Sequence, residues 1–274
     1  MAVAKLMGVV NVTPDSFSDG GDYFDPDAAI AHGRALAAEG ADILDVGGES
    51  TRPGADEVGA EEECRRILPV IGTLAGEGGP PVSVDTSKAA VAAAAIDAGA
   101  TIVNDVTALS DPEMAPLCAE RGVELVLMHM QGRPRTMQEH PSYGDVVEDV
   151  RAFLAERVEL AVAAGVLLEK VWVDPGIGFG KTVEHNIQLV RRLRELLSLG
   201  RPLLIGTSRK SFLGKITGAP VGDRLGATIA SCVLAAANGA DALRVHDVGP
   251  VREALAVTAA ILDPQRAAEI GDRV

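Results

Sequence analysis

Short runs of hydrophobic residues recur along the chain, separated by longer stretches with a helical pattern. Each run is continuous rather than alternating, which is typical of parallel strands covered by helices. The runs predict eight strands, at Leu6–Val12, Ile43–Val46, Val82–Asp85, Ile102–Asp105, Leu125–Met128, Val171–Asp174, Leu203–Ile205 and Ala242–Val245. The stretches after them predict helices at Pro26–Glu39, Ala60–Ala75, Ser87–Ala98, Pro112–Glu120, Tyr143–Ala164, Val183–Leu199, Gly222–Ala237 and Gly249–Leu262.

One phrase recurs with variation where helices give way to strands. It consists of a helix end, a glycine suited to ending that helix, and a short apolar strand that finishes in polar residues. Copies begin at Ala37 (AAEGADILDVGGES), Ala95 (AIDAGATIVNDV) and Ala235 (AAANGADALRVHDV), with a looser copy at Val162 (VAAGVLLEKVWVDPG). Because their spacing is irregular, the copies indicate a repeated βα module rather than a solenoid.

Eight βα units in about 250 residues match the size of a TIM (β/α)8 barrel. The alternative is an open, doubly wound sheet, which usually carries a glycine fingerprint such as GxGxxG after its first strand. The segment GVVNVTPDSFSDGG has no such fingerprint. Since no Ser- or Pro-rich linker divides the chain, the sequence predicts one α/β domain, a TIM barrel, over residues 1–274.

Polar residues end most of the predicted strands. In a TIM barrel these strand ends meet at one mouth, where the active site lies. The residues are Asn11, Asp45, Asp85, Asn104, Asp105, His129, Asp174, Ser208, Arg209, Lys210, Arg244 and His246. A strand-end Asp or Asn is often only a helix cap or a loop hydrogen-bonder, and Asp45 and Asp105 are interpreted in that way. His129 is interpreted as structural, like the other histidines outside the last strand. The set as a whole predicts a polar site.

Three of these residues are hydrogen-bond acceptors on separate strands. Asp85 and Asp174 can each accept two parallel N–H bonds, and Asn104 can both donate and accept. Such a trio suits an aminopyrimidinone ring, which presents NH and NH2 donors beside a carbonyl.

The end of the last strand carries cations instead. Arg244 and His246 lie where phosphate sites of this fold are commonly built, and Arg244 offers a planar fork to phosphate oxygens. Asn11 ends the first strand, which closes the barrel beside the eighth. An ion pair of Arg244 with Asp241 or Asp247 is the alternative interpretation.

Two polar, glycine-rich loops follow the first two strands, NVTPDSFSDGGDYF and GGESTRPGADEVG. They are long for connectors, which favours a functional role over an ordinary surface loop. Aromatic residues make up only 3 % of the chain, yet four of its five phenylalanines lie in or beside loops that follow strands: Phe17, Phe24, Phe179 and Phe212. Aromatic side chains at the mouth suit a flat ligand, although local loop packing is the favoured interpretation of Phe24 and Phe212.

The charge balance limits the partners. The 274 residues contain 25 Lys and Arg against 39 Asp and Glu, a formal net charge of -14. This excess argues against general binding to nucleic acid or anionic membranes, but not against a small anion held by local cations. The three cysteines, an odd number without metal-type spacing, are expected to be buried thiols. The start of the chain runs directly into a strand-like segment and no apolar run reaches membrane length, so a cytoplasmic protein is expected.

With these residues assembled, the sequence resembles the bacterial dihydropteroate synthase family. The resemblance runs through nearly the whole chain in the motifs MGVVNVTPDSFSDGG, ILDVGGESTRPGA, VSVDTSKAAVA, IVNDV, WVDPGIGFGKT, IGTSRKSFLG and LRVHDV. These motifs are long, specific and in the family's order. The resemblance implies a transferase of folate synthesis and sulfonamide target that joins 6-hydroxymethyl-7,8-dihydropterin diphosphate to 4-aminobenzoate with the help of Mg2+. It also implies a homodimer formed through helices late in the barrel order.

The resemblance carries roles onto individual residues. It implies that Asp85, Asn104, Asp174 and Lys210 hold the pterin, that Asn11 contacts the metal and the diphosphate, and that Arg244 and His246 bind the diphosphate. It places Phe17, Asp19, Thr51, Arg52 and Pro53 in mobile loops over the site, and Phe179, Lys210 and Ser211 beside the aminobenzoate. Lys210, Asp19, Arg244 and His246 are the residues expected to act in catalysis. Arg209 either adds to the local positive field or forms a salt bridge with a surface acid.

Three other functions remain open at this stage. An aldolase or isomerase would use Lys210 to form a Schiff base. A corrinoid methyltransferase that depends on methyltetrahydrofolate would share the pterin slot, but would not need the SFSDGG, STRPG and SRKSFLG segments. A pterin-binding protein without activity is the third.

Overall fold

Eight parallel strands form one sheet in the computed structural model, which describes residues 4–13, 25–50, 55–132 and 136–262. The strands are β1 Lys5–Asn11, β2 Ile43–Gly47, β3 Val82–Asp85, β4 Ile102–Asp105, β5 Glu124–Met128, β6 Val171–Asp174, β7 Leu204–Ile205 and β8 Ala242–Val245. All eight predicted strands are therefore confirmed, with bounds that differ by one residue at most.

The strand order is β6-β5-β4-β3-β2-β1-β8-β7, so the first and last strands of the chain lie side by side. Met7 in β1 is paired with Ile43 on one side and with Arg244 on the other. The remaining gap, between β6 and β7, is bridged by one pairing, Val173 with Leu203. This pairing closes the barrel, which confirms the predicted TIM fold.

Nine α-helices surround the barrel within the described residues. They are α1 Pro26–Ala38, α2 Ala60–Gly76, α3 Ala89–Asp97, α4 Met114–Arg121, α5 Val146–Ala163, α6 Val183–Arg191, α7 Ser211–Thr217, α8 Leu225–Ala237 and α9 Val248–Leu262. The predicted helix Val183–Leu199 is divided: after Arg191 the chain continues as a 3-10 helix, Leu193–Leu199. The short helix α7 is an addition to the eight predicted helical stretches. No described helix is long and apolar enough to cross a membrane.

The hydrophobic core has two separate parts. The larger part lies between the strands and the helices. The smaller part takes one residue from each of seven strands: Met7, Ile43, Ile102, Val126, Trp172, Leu204 and Ala242. Because side chains alternate between the two faces of a strand, this second layer fills the barrel interior below the mouth.

A buried ion pair joins α2 to the start of α3. Lys88, the residue before α3, places its Nζ 2.7 Å from Glu63 Oε2 and 2.6 Å from Glu49 Oε2. The Glu63 side chain is fully buried. A buried carboxylate is costly unless it is paired, so the fold depends on Lys88 at this point.

Replacing Lys88 by Met is therefore expected to lower the free energy of unfolding by about 3–5 kcal/mol, because Glu63 loses its cation inside the protein. The matched control is Arg121→Met, which removes an exposed pair with Asp97 and should cost only about 0–1 kcal/mol. Urea unfolding of both variants measures the difference. Similar small losses in the two variants would show that Glu63 is not dependent on Lys88.

Candidate active site

A cleft opens at the carboxyl-terminal mouth of the barrel. Its lining consists of Asp85, Asn104, Val106, Met128, Asp174, Phe179, Gly206, Ser208, Lys210, Arg244 and His246. Seven residues of the sequence-predicted site thus lie together in one cleft. They come from β3, β4, β6 and β8 and from the loops that follow β6, β7 and β8.

Strand geometry explains how these residues reach the cleft. Asn104, Asp174 and Arg244 each come two residues after a member of the buried interior layer. Residues two apart on a strand share a face, so the polar side chains lie directly above the apolar ones. The apolar layer forms the floor, and the polar layer faces the mouth.

Arg244 links two carboxylates at the bottom of the cleft. Its Nε lies 2.6 Å from Asp45 Oδ2, and its Nη2 lies 2.7 Å from Asp85 Oδ2. Asn104 Nδ2 donates to the same Asp45 oxygen at 3.1 Å. The interpretation of Asp45 as a helix cap or a loop hydrogen-bonder was wrong, because this residue is fully buried and holds both Arg244 and Asn104.

The alternative partners considered for Arg244 were also wrong. Asp241 accepts a backbone hydrogen bond from Leu203 at 2.8 Å. Asp247 pairs with Arg209, whose Nε lies 3.0 Å from Asp247 Oδ2. Arg209 is exposed and has a φ of 57°. The structure thus agrees with the salt-bridge interpretation of Arg209 rather than with a contribution to the site.

Burial changes the ionisation of this charge cluster. It raises the pKa of Asp85 to about 7, although the positive charge of Arg244 acts in the opposite direction. Burial alone would lower the pKa of Arg244, but the charges of Asp45 and Asp85 outweigh it and leave this pKa above its ordinary value. Arg244 therefore stays charged, while Asp85 can change its protonation near neutral pH.

Lys210 and Asp174 occupy the opposite side of the cleft. The Lys210 Nζ donates to the backbone oxygen of Ile177 and lies 4.5 Å from the centroid of the Phe179 ring. Burial lowers the pKa of Lys210 to about 8, while the charge of Asp174 opposes this change. Burial raises the pKa of Asp174, and Lys210 counteracts the rise. Asp174 Oδ1 also accepts from Gly176 N at 2.6 Å.

His246 is oriented by Ser208. The Ser208 Oγ lies 3.0 Å from His246 Nδ1, and the backbone N–H of His246 donates to the same hydroxyl at 3.2 Å. Ser208 was noted at the end of its strand but not included among the predicted site residues. These two contacts fix the orientation of the His246 ring at the mouth.

The other predicted residues lie at the rim or outside the described part of the chain. Asn11 ends β1, is half-buried and is paired with Gly47. Ser211 is exposed and begins α7 directly after Lys210. Phe212 belongs to α7 and is buried against the core, which agrees with local packing. The predicted loop residues Phe17, Phe24, Asp19, Thr51, Arg52 and Pro53 lie outside the described residues.

Sequence reasoning missed one buried cation close to the cleft. Lys181 is only 3 % exposed, and its Nζ lies 2.9 Å from His129 Nδ1. Burial, together with the charge of Lys181, lowers the pKa of His129 to about 3. The available signal was the position of Lys181 in the GIGFGKT motif, two residues after the phenylalanine of the cleft.

Comparisons with known proteins agree with this geometry. A family model described as pterin binding enzyme matches residues 7–246. The dihydropteroate synthase of Mycobacterium leprae is 50 % identical over 273 residues, covering 96 % of this chain and 95 % of that protein. A probable bifunctional folylpolyglutamate synthase/dihydropteroate synthase of Haloferax volcanii is 51 % identical, over 95 % of this chain but only 31 % of its own length.

A solved structure of a Xanthomonas albilineans dihydropteroate synthase with 4-aminobenzoic acid superposes with a TM-score of 0.89 at 48 % identity. The match covers 94 % of this chain and 93 % of that one. Sequence, fold and the composition of the cleft therefore agree. The chain belongs to the pterin-binding enzyme family and, within it, to the dihydropteroate synthases.

Proposed function

We propose that this chain condenses 6-hydroxymethyl-7,8-dihydropterin diphosphate with 4-aminobenzoate, giving 7,8-dihydropteroate and diphosphate. The observation that carries the proposal is the arrangement of one cleft: buried acceptors on the strands, and cations with an aromatic ring nearer the loops. The named relatives and the 4-aminobenzoic acid complex of the Xanthomonas protein support the same reaction.

The acceptors are assigned to the pterin. Asp85, Asn104 and Asp174 are each at least nine-tenths buried and line the same cleft. Asp85 Oδ1 has no hydrogen-bond partner among the described residues, so a ligand N–H would satisfy it. A donor stabilises a buried acceptor more than an exposed one, because a buried acceptor without a hydrogen-bond partner costs about 1–3 kcal/mol.

Pterin binding and the state of Arg244 are linked in this proposal. In the free protein Asp85 is held by Arg244, as is Asp45. A pterin that donates to Asp85 competes with Arg244 for this carboxylate. Arg244 keeps its bond to Asp45 and can turn its remaining donors towards the diphosphate beside His246. Asp45 thus keeps the arginine in place while its other partner changes.

The reaction needs no nucleophilic side chain. The C–O bond between the pterin methylene and the diphosphate breaks, and its electron pair leaves with the diphosphate oxygen. Arg244 and His246 stabilise the charge that develops there, and the carboxylates of Asp85 and Asp174 favour the cation left on the pterin. The amine of aminobenzoate then forms the new C–N bond and loses a proton. Lys210, between Phe179 and the pterin acceptors, positions both substrates.

The residues at the rim fit a magnesium ion held mainly by the substrate. Asn11 offers a hard amide oxygen at the end of β1, the neighbour of β8, which carries Arg244. Mg2+ commonly takes one or two protein oxygens and completes its coordination with phosphates and water. The described residues contain no cluster of three His, Cys, Asp or Glu that could hold a metal. When bound, the ion neutralises charge on the leaving diphosphate.

A homodimer is proposed from the distribution of exposed apolar side chains. In the described chain, every large hydrophobic residue that is at least 40 % exposed lies after residue 159. They are Leu160, Val162, Leu167, Leu168, Ile187, Leu197, Ile216, Val221, Leu225, Leu234, Val257, Ile261 and Leu262. Exposed apolar surface marks interaction sites, and here it lies in the second half of the chain, on α5 to α9 and the segments between them.

The function is tested by an assay for diphosphate release. Purified protein with Mg2+ is expected to release diphosphate only when both substrates are present, with dihydropteroate formed in equal amount. Release with the pterin substrate alone would indicate a hydrolase. Because the lowered pKa of Lys210 also suits a Schiff base, borohydride trapping with a carbonyl compound tests the aldolase alternative.

Pterin affinity is expected to peak between about pH 7 and about pH 8. Below pH 7 Asp85 gains a proton and can no longer accept two N–H bonds, so affinity falls as the pH is lowered. Above pH 8 Lys210 loses its charge, and affinity falls again. Calorimetric titration with a pterin measures both limbs. In Asp85→Asn the fall in affinity at acidic pH should become smaller, because only Asp174 still contributes to it. An unchanged fall would contradict the assignment of Asp85 to the pterin.

The dimer is tested by sedimentation velocity. The native protein is expected to sediment as a dimer, and Leu234→Glu as a monomer, because it introduces a charge on α8 within the apolar face. The matched control is Ala90→Glu, which places the same charge on an exposed position of α3, and should remain dimeric. A monomeric native protein, or dissociation of both variants, would exclude this face as the interface.

A further inference from the structure

Four consecutive backbone oxygens in the loop after β6 are each bound by a side chain. This segment, residues 176–181, is called the glycine loop below. The contacts are Lys210 Nζ to Ile177 O, Gln138 Nε2 to Gly178 O at 2.6 Å, Lys181 Nζ to Phe179 O at 2.9 Å, and Tyr143 Oη to Gly180 O at 2.7 Å. Loop carbonyls normally face water, so this degree of capture indicates a segment held in one position.

The glycine loop also packs closely against the end of β5. Gly176 and Gly180 have φ values of 65° and 59°. A Cβ on Gly176 would overlap the backbone oxygen of His129, and one on Gly180 would lie 2.5 Å from that of Gln131. Backbone therefore meets backbone here, which only glycine allows. The position of the loop depends on the chain that follows β5.

Lys181 is the buried link between these two segments. Its Nζ contacts His129 Nδ1 and Phe179 O, both at 2.9 Å, and His129 O at 3.4 Å. The side chain does not line the cleft. Burial lowers its pKa well below the ordinary value, against the attraction of Asp174. Charged or neutral, the amine can donate to the Phe179 oxygen.

We infer that Lys181 is a positioning residue for the aminobenzoate side of the cleft: it ties the Phe179 backbone to His129 and so keeps the Phe179 ring beside Lys210. The inference rests on the proposed function, in which Phe179 borders the aminobenzoate. Of the residues assigned to the pterin, Asp85 and Asn104 lie on strands with neighbours on both sides, and Asp174 is held in β6 by pairing with Met128 of β5. Loss of the Lys181 contacts should therefore affect one substrate and not the other.

The test is Lys181→Met, which keeps most of the length of the side chain but removes its donors. With saturating pterin substrate, the KM for aminobenzoate is expected to rise about tenfold, the effect of one lost buried hydrogen bond. The value of kcat and the affinity for the pterin should stay close to those of the native protein. Tyr143→Phe removes a single hydroxyl that donates to the same loop and should raise this KM in the same direction, which covers a Lys181 variant that fails to fold.

Phe153→Leu is the matched control for a general loss of packing. The Phe153 ring meets the His129 ring edge-on, with centroids 4.9 Å apart, but does not contact the glycine loop through a hydrogen bond. The melting temperature of the Phe153→Leu variant should fall as in Lys181→Met, while the KM of this variant for aminobenzoate stays unchanged. This separates positioning of the loop from stability of the surrounding core.

The outcomes distinguish the inference from the proposed function. If the native protein releases no diphosphate with both substrates, the proposed function fails. If it does, but Lys181→Met and Tyr143→Phe keep the native KM for aminobenzoate, the inference is overturned. A parallel rise of KM for both substrates, or an equal rise in Phe153→Leu, would overturn it as well, because Lys181 would then act only on the stability of the fold.

Discussion

Side chains alternate between the two faces of a strand, and in a closed barrel the inner face reaches water only at the ends. Every inward position must therefore be either apolar or compensated. Ile102 and Trp172 take the first option in the interior layer, and Asn104 and Asp174, two residues later, take the second at the mouth. The cleft is thus a continuation of the packing of the barrel, and its depth is set by where the apolar layer stops.

The charges at the mouth obey the same constraint. Arg244 could not stay buried beside the interior layer without Asp45 and Asp85, since an unpaired charge there is costly. Because of this pairing, Arg244 is not a free cation in the described cleft, and Asp45 and Asp85 are not free carboxylates. In the proposed reaction, groups of the ligand replace these internal partners. Folding of the free protein has already removed the charges from water, so substrate binding does not have to supply that part of the desolvation free energy.

Much of this was predictable from the sequence, because it follows from local patterns. Continuous apolar runs predicted all eight strands, and the residues that end them predicted Asp85, Asn104, Asp174 and Arg244 at one mouth. The partners of these residues were not predictable in the same way. Arg244 and Asp45 are 199 positions apart in the chain, and only the barrel closure brings them together. Arg209 and Lys210 are neighbouring cations, and the sequence alone does not tell which of them faces the cleft. The backbone of Arg209 has a positive φ, and its side chain lies at the surface beside Asp247.

The joint between β6 and β7 is the least paired in the barrel, with one pairing at Val173 and Leu203. Across it, the Lys210 side chain reaches back to Ile177 and Phe179. Side-chain contacts thus connect the two strands where backbone pairing is sparse. Local opening is easiest where backbone pairing is sparse, so the amides along this joint should exchange with solvent sooner than those of β2 and β3. A molecule bound between Phe179 and Lys210 would add a contact across this joint. Occupancy of the cleft would therefore slow that exchange and stabilise the barrel where it opens most easily.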